Sequence, residues 1–143
     1  MAVTAKVFGP FLNSMADKLV DLNSDTIKVM LTTSAPDQDA WQFKSSVTGE
    51  VTGTGYTAGG ATVASPTFSY NTSTNVWMFD GADVTWSSST ITANYAVFYD
   101  STPATDATRP LICYWDFGGA QSSSSGNFTL SFSASGIVTA TVA

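Results

Sequence analysis

Residues 26–31 read Thr-Ile-Lys-Val-Met-Leu, and from here on apolar residues recur at every second position. Ile27, Val29 and Leu31 alternate with Lys28 and Met30, the pattern of a strand with one buried face. Upstream the spacing differs. Pro10 is followed by Phe11, Leu12, Met15, Ala16, Leu19 and Val20, one apolar stripe at helical spacing with Asp17, Lys18 and Asp21 opposite. Pro10 suits a first helical position and Asn23 or Ser24 is suited to end the element, so a helix is expected over 11–22. Residues 1–10 are then an amino-terminal arm.

Downstream the period of two persists, and it predicts strands at 61–64, 67–70, 75–79, 83–86, 90–100, 111–117, 127–132 and 137–142. Turn signals fall between them at Ser65-Pro66, 71–74, Asp80-Gly81, 87–89, 101–109, 118–126 and Ser135-Gly136. Many short strands with Gly, Asn and Ser turns argue for antiparallel rather than parallel pairing. The expected fold is all-β: an antiparallel β-sandwich, or a jelly-roll or barrel-like variant, over 26–142, with one short helix near the amino terminus. Ser135-Gly136 is expected to close a final hairpin between the last two strands. The 143 residues are read as a single domain, 1–143, large enough to bury a real core.

Composition removes several function classes. Charged residues make up only 11% of the chain and the formal charge is −6, with Lys6, Lys18, Lys28, Lys44 and Arg109 scattered. Nucleic-acid binding needs clustered cations, so nucleic acid is not an expected partner. Histidine is absent, which excludes His-based triads and typical zinc sites. The lone Cys113 sits in the apolar run PLICYWDF and reads as a small buried hydrophobe. Asn13, Ser14 and Asp17 interrupt any signal-peptide core, and no apolar run approaches the roughly 18 residues that span a bilayer. No membrane partner is expected, and synthesis in the cytosol is.

Residues 49–60 read GEVTGTGYTAGG, with glycines at 49, 53, 55, 59 and 60. A dinucleotide fingerprint needs G-x-G-x-x-G between strand and helix. Here the third glycine comes one residue late, and the following ATVASP carries a proline and no helical stripe. No phosphate-binding or other cofactor role is assigned. The glycines are instead expected to supply positive φ angles and bulges, with the Tyr56 ring packed across a glycine face. A neighbouring subunit's backbone approaching this stretch is the functional alternative.

Other chemistry fails in the same way. Asp37/Asp39, Asp80/Asp83 and Asp116/Glu50 are the carboxylate pairs worth weighing, and Asp37 and Asp80 sit in P-D and D-G turns that favour aspartate for local hydrogen bonds. Calcium ligation by Asp37, Asp39, Asp80 or Asp83 lacks the twelve-residue loop with its closing Glu. No serine has a nearby lysine in an S-x-x-K arrangement. No catalytic residue, cofactor site or metal ligand is expected, and the chain is not expected to be an enzyme. Residues 34–48 form the longest stretch without period, and Trp41 and Phe43 within it either plug an end of the sandwich or belong to an interface.

The segments SDTIKVMLTTS (24–34), GEVTGTGYTAGGATV (49–63), VTWSSSTITANYAVFYDSTP (84–103), RPLICYWDFGG (109–119) and GIVTATV (136–142), taken in order, resemble small β-rich virion proteins of tailed bacteriophages and prophages. The resemblance covers most of the chain from about residue 20. It implies a virion component, made in the bacterial host cytoplasm, of head-decoration or tail-accessory type. As a capsid decoration protein, the chain is expected to form a small homo-oligomer such as a trimer and to clamp the major capsid protein. The residues assigned to docking are Val3, Val7, Phe8 and Phe11, on an arm suited to adding a strand to a neighbour's sheet edge. As a tail or baseplate accessory protein, it would bind a host-surface glycan through Trp41, Trp77, Trp86 or Trp115, of which Trp86 and Trp41 are expected to be the most exposed.

Overall fold

The computed structural model describes residues 2–142, and they build two antiparallel sheets. The strands are β1 (Thr4–Val7), β2 (Ile27–Thr32), β3 (Ala61–Thr62), β4 (Thr67–Asn71), β5 (Val76–Asp80), β6 (Val84–Asp100), β7 (Leu111–Leu130) and β8 (Val138–Thr141), with helix α1 (Phe11–Ala16) between β1 and β2. The larger sheet has the order β1-β7-β6-β2-β3 and the smaller one β4-β5-β8. The all-β expectation with one short amino-terminal helix holds, and the two-sheet arrangement is consistent with a sandwich.

The strand that fixed the class is more deeply placed than its alternation suggests. Ile27, Val29, Met30 and Leu31 are all buried, and only Lys28 reaches partly into water. β2 lies inside the sheet between β6 and β3, and the glycine-rich segment pairs with its backbone along the edge away from β6. Val51 N–H donates to Leu31 O at 3.0 Å, and Thr54 pairs with Thr90 of β6.

Glycine is mandatory at the two closest approaches to neighbouring backbone. Gly60 has φ of 74°, and a Cβ there would stand 1.9 Å from Val29 O. Gly53, with φ of 152°, would place its Cβ 2.3 Å from Thr90 O. The segment shapes the chain, as its composition predicts.

Residues 2–10 are not a free arm. β1 pairs with β7 in the register Thr4↔Asp116 to Val7↔Cys113, and Phe8 N–H continues the ladder to Ile112 O at 3.1 Å. The strand then delivers Phe8 into the core. The partner strand lies about 110 residues away in sequence, so no local signal marks the pairing.

Helix α1 ends six residues before the expected boundary at Leu22. Lys18 adopts φ of 58°, Lys18 N–H bonds Met15 O at 3.1 Å, and Leu19 N–H bonds Ser14 O at 2.9 Å. This pair of bonds is a Schellman stop, in which glycine usually occupies the left-handed position. With lysine there instead, the sequence carries no stop signal. The face that turns inward is also different: Phe11 and Ser14 are buried, whereas Leu12 and Met15 point to water.

Strands expected at 83–86 and 90–100 are one continuous strand, as are those at 111–117 and 127–132. The serine-rich stretches between them pair across the ribbon through hydroxyls: Thr85 with Thr129 at 2.9 Å, Ser89 with Ser123 at 2.7 Å, and Thr92 with Ser122 at 2.7 Å. Bulges bend the ribbon. Ala93 pairs with Gln121 and Tyr95 with Asp116, so residues 117–120 stand opposite Asn94 alone, and Gly118 and Gly119 take positive φ there. The bend brings Phe117 and Phe128 of one strand to a ring separation of 6.2 Å.

The expected final hairpin is a crossing between sheets. β7 ends in the larger sheet at Leu130, and β8 pairs with β5 in the smaller one. The connection turns through a Ser133–Gly136 bridge and packs Phe132 against Trp115 and Phe98, with ring centroids 5.3 and 5.9 Å away. Trp115 Nε1–H donates to Ile137 O at 2.7 Å, stapling the two sheets.

Candidate functional site

The structure scatters the residues that the sequence singles out. Phe8 and Phe11 are fully buried, and the Phe8 ring lies 5.1 Å from that of Tyr114. They are core residues and not docking residues, because β1 and α1 carry them inward. Val7 is half-buried at the end of β1, and Val3 is 48% exposed.

Trp41 is half-buried and packs against the core, in line with the plug reading. Phe43 is half-buried and forms a short bridge with Pro110, flanked by Lys44 N–H to Arg109 O at 2.9 Å and Leu111 N–H to Gln42 O at 2.8 Å. Residues 34–48 are thus latched, and they latch the amino terminus in turn. Gln38 Nε2 donates to Val7 O at 3.0 Å, and Gln42 Nε2 to the buried Ser14 Oγ at 3.2 Å.

Tyr56 is half-buried, with its ring 5.9 Å from that of Trp86. Its hydroxyl accepts from Leu31 N–H at 3.0 Å and donates to Glu50 Oε1 at 2.9 Å. Burial, reinforced by the Glu50 charge, pushes its pKa above the usual phenol range. Trp86, expected to be exposed, is buried between Tyr56 and Phe128, and Trp115 is buried as well. Trp41 and Trp77 are half-buried.

A polar basin that sequence reading missed lies beside the glycine segment. It has a volume of about 400 Å³ and gathers three of the five cationic side chains, Lys28, Lys44 and Arg109, with Tyr99, Asp106 and Glu50. Lys28 comes from β2, Tyr99 from β6, Lys44 from the 34–48 loop, and Asp106 and Arg109 from the β6–β7 connection. The cations look scattered in sequence because the fold, not the local chain, assembles them.

Within the basin Asp106 is the hub. Its Oδ2 accepts from Lys44 Nζ at 2.7 Å and its Oδ1 from Arg109 Nη1 at 2.8 Å, while Arg109 Nε donates to Pro103 O at 2.8 Å. These contacts hold the Asp106 carboxyl below its usual pKa, the Lys44 hydrogen bond first among them. The Lys44 ammonium also sits 5.7 Å from the Tyr99 ring centre. Tyr99 donates to Gly59 O at 2.7 Å, and burial raises its pKa to about 12. Lys44, Arg109, Asp106, Tyr99 and Glu50 are each engaged by a neighbour. Charge-assisted bonds join the 34–48 loop to the β6–β7 connection, and the neutral Tyr99 hydroxyl bond ties the glycine segment to β6.

A group of exposed apolar side chains lies elsewhere. Leu12 is 66% exposed, Leu19 42% and Met15 39%; Leu12 and Met15 stand three apart on α1, and Leu19 follows its Schellman stop. A hydrophobic contact usually accompanies such a stop. Here Leu19 finds only Ser14 at the matching position and stays exposed.

Comparison with protein-family models, with curated proteins and with solved structures found no match.

Proposed function

We propose that this chain is a non-enzymatic structural protein of a phage particle, a capsid decoration protein that oligomerises on the head shell and contacts the major capsid protein. The class of particle rests on the ordered series of segments quoted above, which resembles small virion proteins of tailed phages. The observation that carries the docking half is the set Leu12, Met15 and Leu19: two large apolar side chains on a helix whose buried side is occupied by Phe11 and Ser14, and a third just past its Schellman stop. Single exposed hydrophobes are ordinary on a protein surface, whereas several within one short helix and its stop suit contact with another chain.

The docking surface therefore moves from the buried Phe8 and Phe11 to this set, with Val3 at the start of the edge strand β1 as a secondary contact. Lys6 on that edge discourages indiscriminate strand pairing. A latched core and a charge-paired basin suit a durable particle component. A test is co-sedimentation of the purified chain with shells of the encoding phage that lack it. The Leu12→Ser/Leu19→Ser variant should keep its melting temperature within a few degrees and lose at least tenfold in shell binding. Undiminished binding by a folded variant would remove this surface from the proposal. Failure of the unaltered chain to bind any shell would remove the decoration role.

A further inference from the structure

Between α1 and β2 the chain turns through Asp21-Leu22-Asn23-Ser24-Asp25, with oxygen-bearing side chains at 21, 23, 24 and 25. The fold sets this turn beside the end of β6. Ile27 pairs with Asp100, Ser101 N–H and Oγ–H both donate to Thr26 O at 2.8 Å, and Thr26 N–H donates to Thr102 Oγ1 at 2.8 Å. Asp21, Asp25 and Asp100 consequently line one cavity of about 410 Å³.

The three carboxylates are not equivalent. Asp21 is exposed and turned into its own loop, with Oδ1 accepting from Asn23 N–H at 2.9 Å and Oδ2 from Ser24 Oγ–H at 2.9 Å. Asp25 is half-buried, and its Oδ2 accepts from Asp21 N–H at 2.6 Å. Asp100 is 0% exposed. Its Oδ1 accepts from Thr102 N–H at 2.8 Å, and its Oδ2 has no hydrogen-bond partner. The side chain facing it is the Asp25 carboxyl, and burial together with that carboxyl raises the Asp100 pKa to about 6. Lys18 lines the same cavity but forms no ion pair with any of the three, since the salt bridges among the described residues involve only Lys44, Asp106 and Arg109.

A buried carboxylate oxygen is ordinarily paired, protonated or bound to a metal. Two carboxylates in contact cannot both remain charged unless something positive joins them. An all-oxygen surround selects a hard cation over zinc or copper.

We propose that Asp25 and Asp100 form a binding site for a divalent cation of the calcium class, with the orphan Oδ2 of Asp100 as its anchoring ligand. Among the described residues no group of three carboxylate, imidazole or thiol ligands is poised to hold a metal. Two carboxylates completed by backbone carbonyls and water fit the weak end of calcium affinities, about 10⁻⁴–10⁻³ M. The site departs from the usual helix-loop-helix calcium loop: Thr26 follows Asp25 where glycine is usual, and a residue far along the chain supplies the second acid. A cation here would tie the α1–β2 turn to the β6–β7 connection.

The test uses the full chain at pH 7.5, melted at CaCl₂ concentrations from zero to about 10 mM against NaCl of equal ionic strength. The expected result is a saturable rise in melting temperature, on the order of 3–8 °C, with a midpoint near millimolar. Asp25→Asn should abolish the rise while the protein stays folded, because the introduced amide can donate to the orphan Asp100 oxygen. Mn²⁺ should broaden the amide signals of 21–26 and 100–102 selectively. No calcium-dependent rise, a rise that survives Asp25→Asn, or Mn²⁺ broadening elsewhere would each overturn the site. Without a rise, and with Asp25→Asn more stable than the parent at pH 7.5, the pair is held by a shared proton.

Discussion

Replacing Phe8 with alanine separates a strand that belongs to the fold from an arm that waits for a partner. The Phe8 ring is 0% exposed, it stands 5.1 Å from Tyr114, and its own N–H closes the β1–β7 ladder at Ile112 O. Truncating a fully buried phenylalanine removes its transfer free energy and leaves a cavity, together about 3–5 kcal/mol. For a chain of this length such a loss corresponds to roughly 10–15 °C in melting temperature. Val3→Ala, at a side chain 48% exposed, should change stability by less than about 0.5 kcal/mol. The assay is urea unfolding followed by far-ultraviolet circular dichroism, with thermal melts in parallel, on the isolated protein. A Phe8→Ala protein as stable as its parent would mean that residues 1–10 do not form β1 in solution, and the placement of Phe8 in the core would be wrong.

Three further outcomes follow from individual contacts. Lys18→Gly should stabilise the protein by about 0.5–1 kcal/mol, because lysine holds the left-handed position of the Schellman stop at φ of 58°; a loss of stability in the same melts would show that α1 does not stop there. Asp106→Asn should cost less than about 1 kcal/mol at pH 7, since its partners are part-exposed and the Asp106 side chain is 47% exposed. Its folded pKa is lowered, so its contribution is present above the ordinary carboxylate value of 3.8 and is lost as pH falls through the folded pKa. The parent should therefore lose stability more steeply than Asp106→Asn on acidification below about pH 4, and parallel acid limbs would contradict the ion-pair hub. Cys113 is fully buried and burial pushes its thiol pKa well up, so a thiol reagent should label it only at the rate of global opening; rapid labelling under native conditions would contradict its position in β7.

What the sequence revealed and concealed divides by range. Alternation at Ile27, Val29 and Leu31 identified β2, and glycine density at 49–60 identified a segment of positive φ, because both are properties of neighbouring residues. β1 was hidden because its partner, Cys113–Asp116, is remote in sequence and its own four residues are mostly exposed. The serine tracts at 87–89 and 122–125 look like turns from composition, yet cross-strand hydroxyl pairs and bulges keep them within β6 and β7. Trp86 carries no sign that Tyr56 will cover it, since the covering segment folds back from far upstream. The same holds for both polar clusters. Lys28, Lys44, Asp106 and Arg109 meet only in the folded chain, as do Asp25 and Asp100, and neither set has a spacing that a linear motif could register.

A decoration role is tested most directly by quantitative mass spectrometry of purified particles of the encoding phage, measuring copies of this chain per copy of the major capsid protein. A ratio near one, amounting to hundreds of copies per particle, is the result expected of a protein that covers the shell. A handful of copies in multiples of three or six, or absence from the particle, would contradict it.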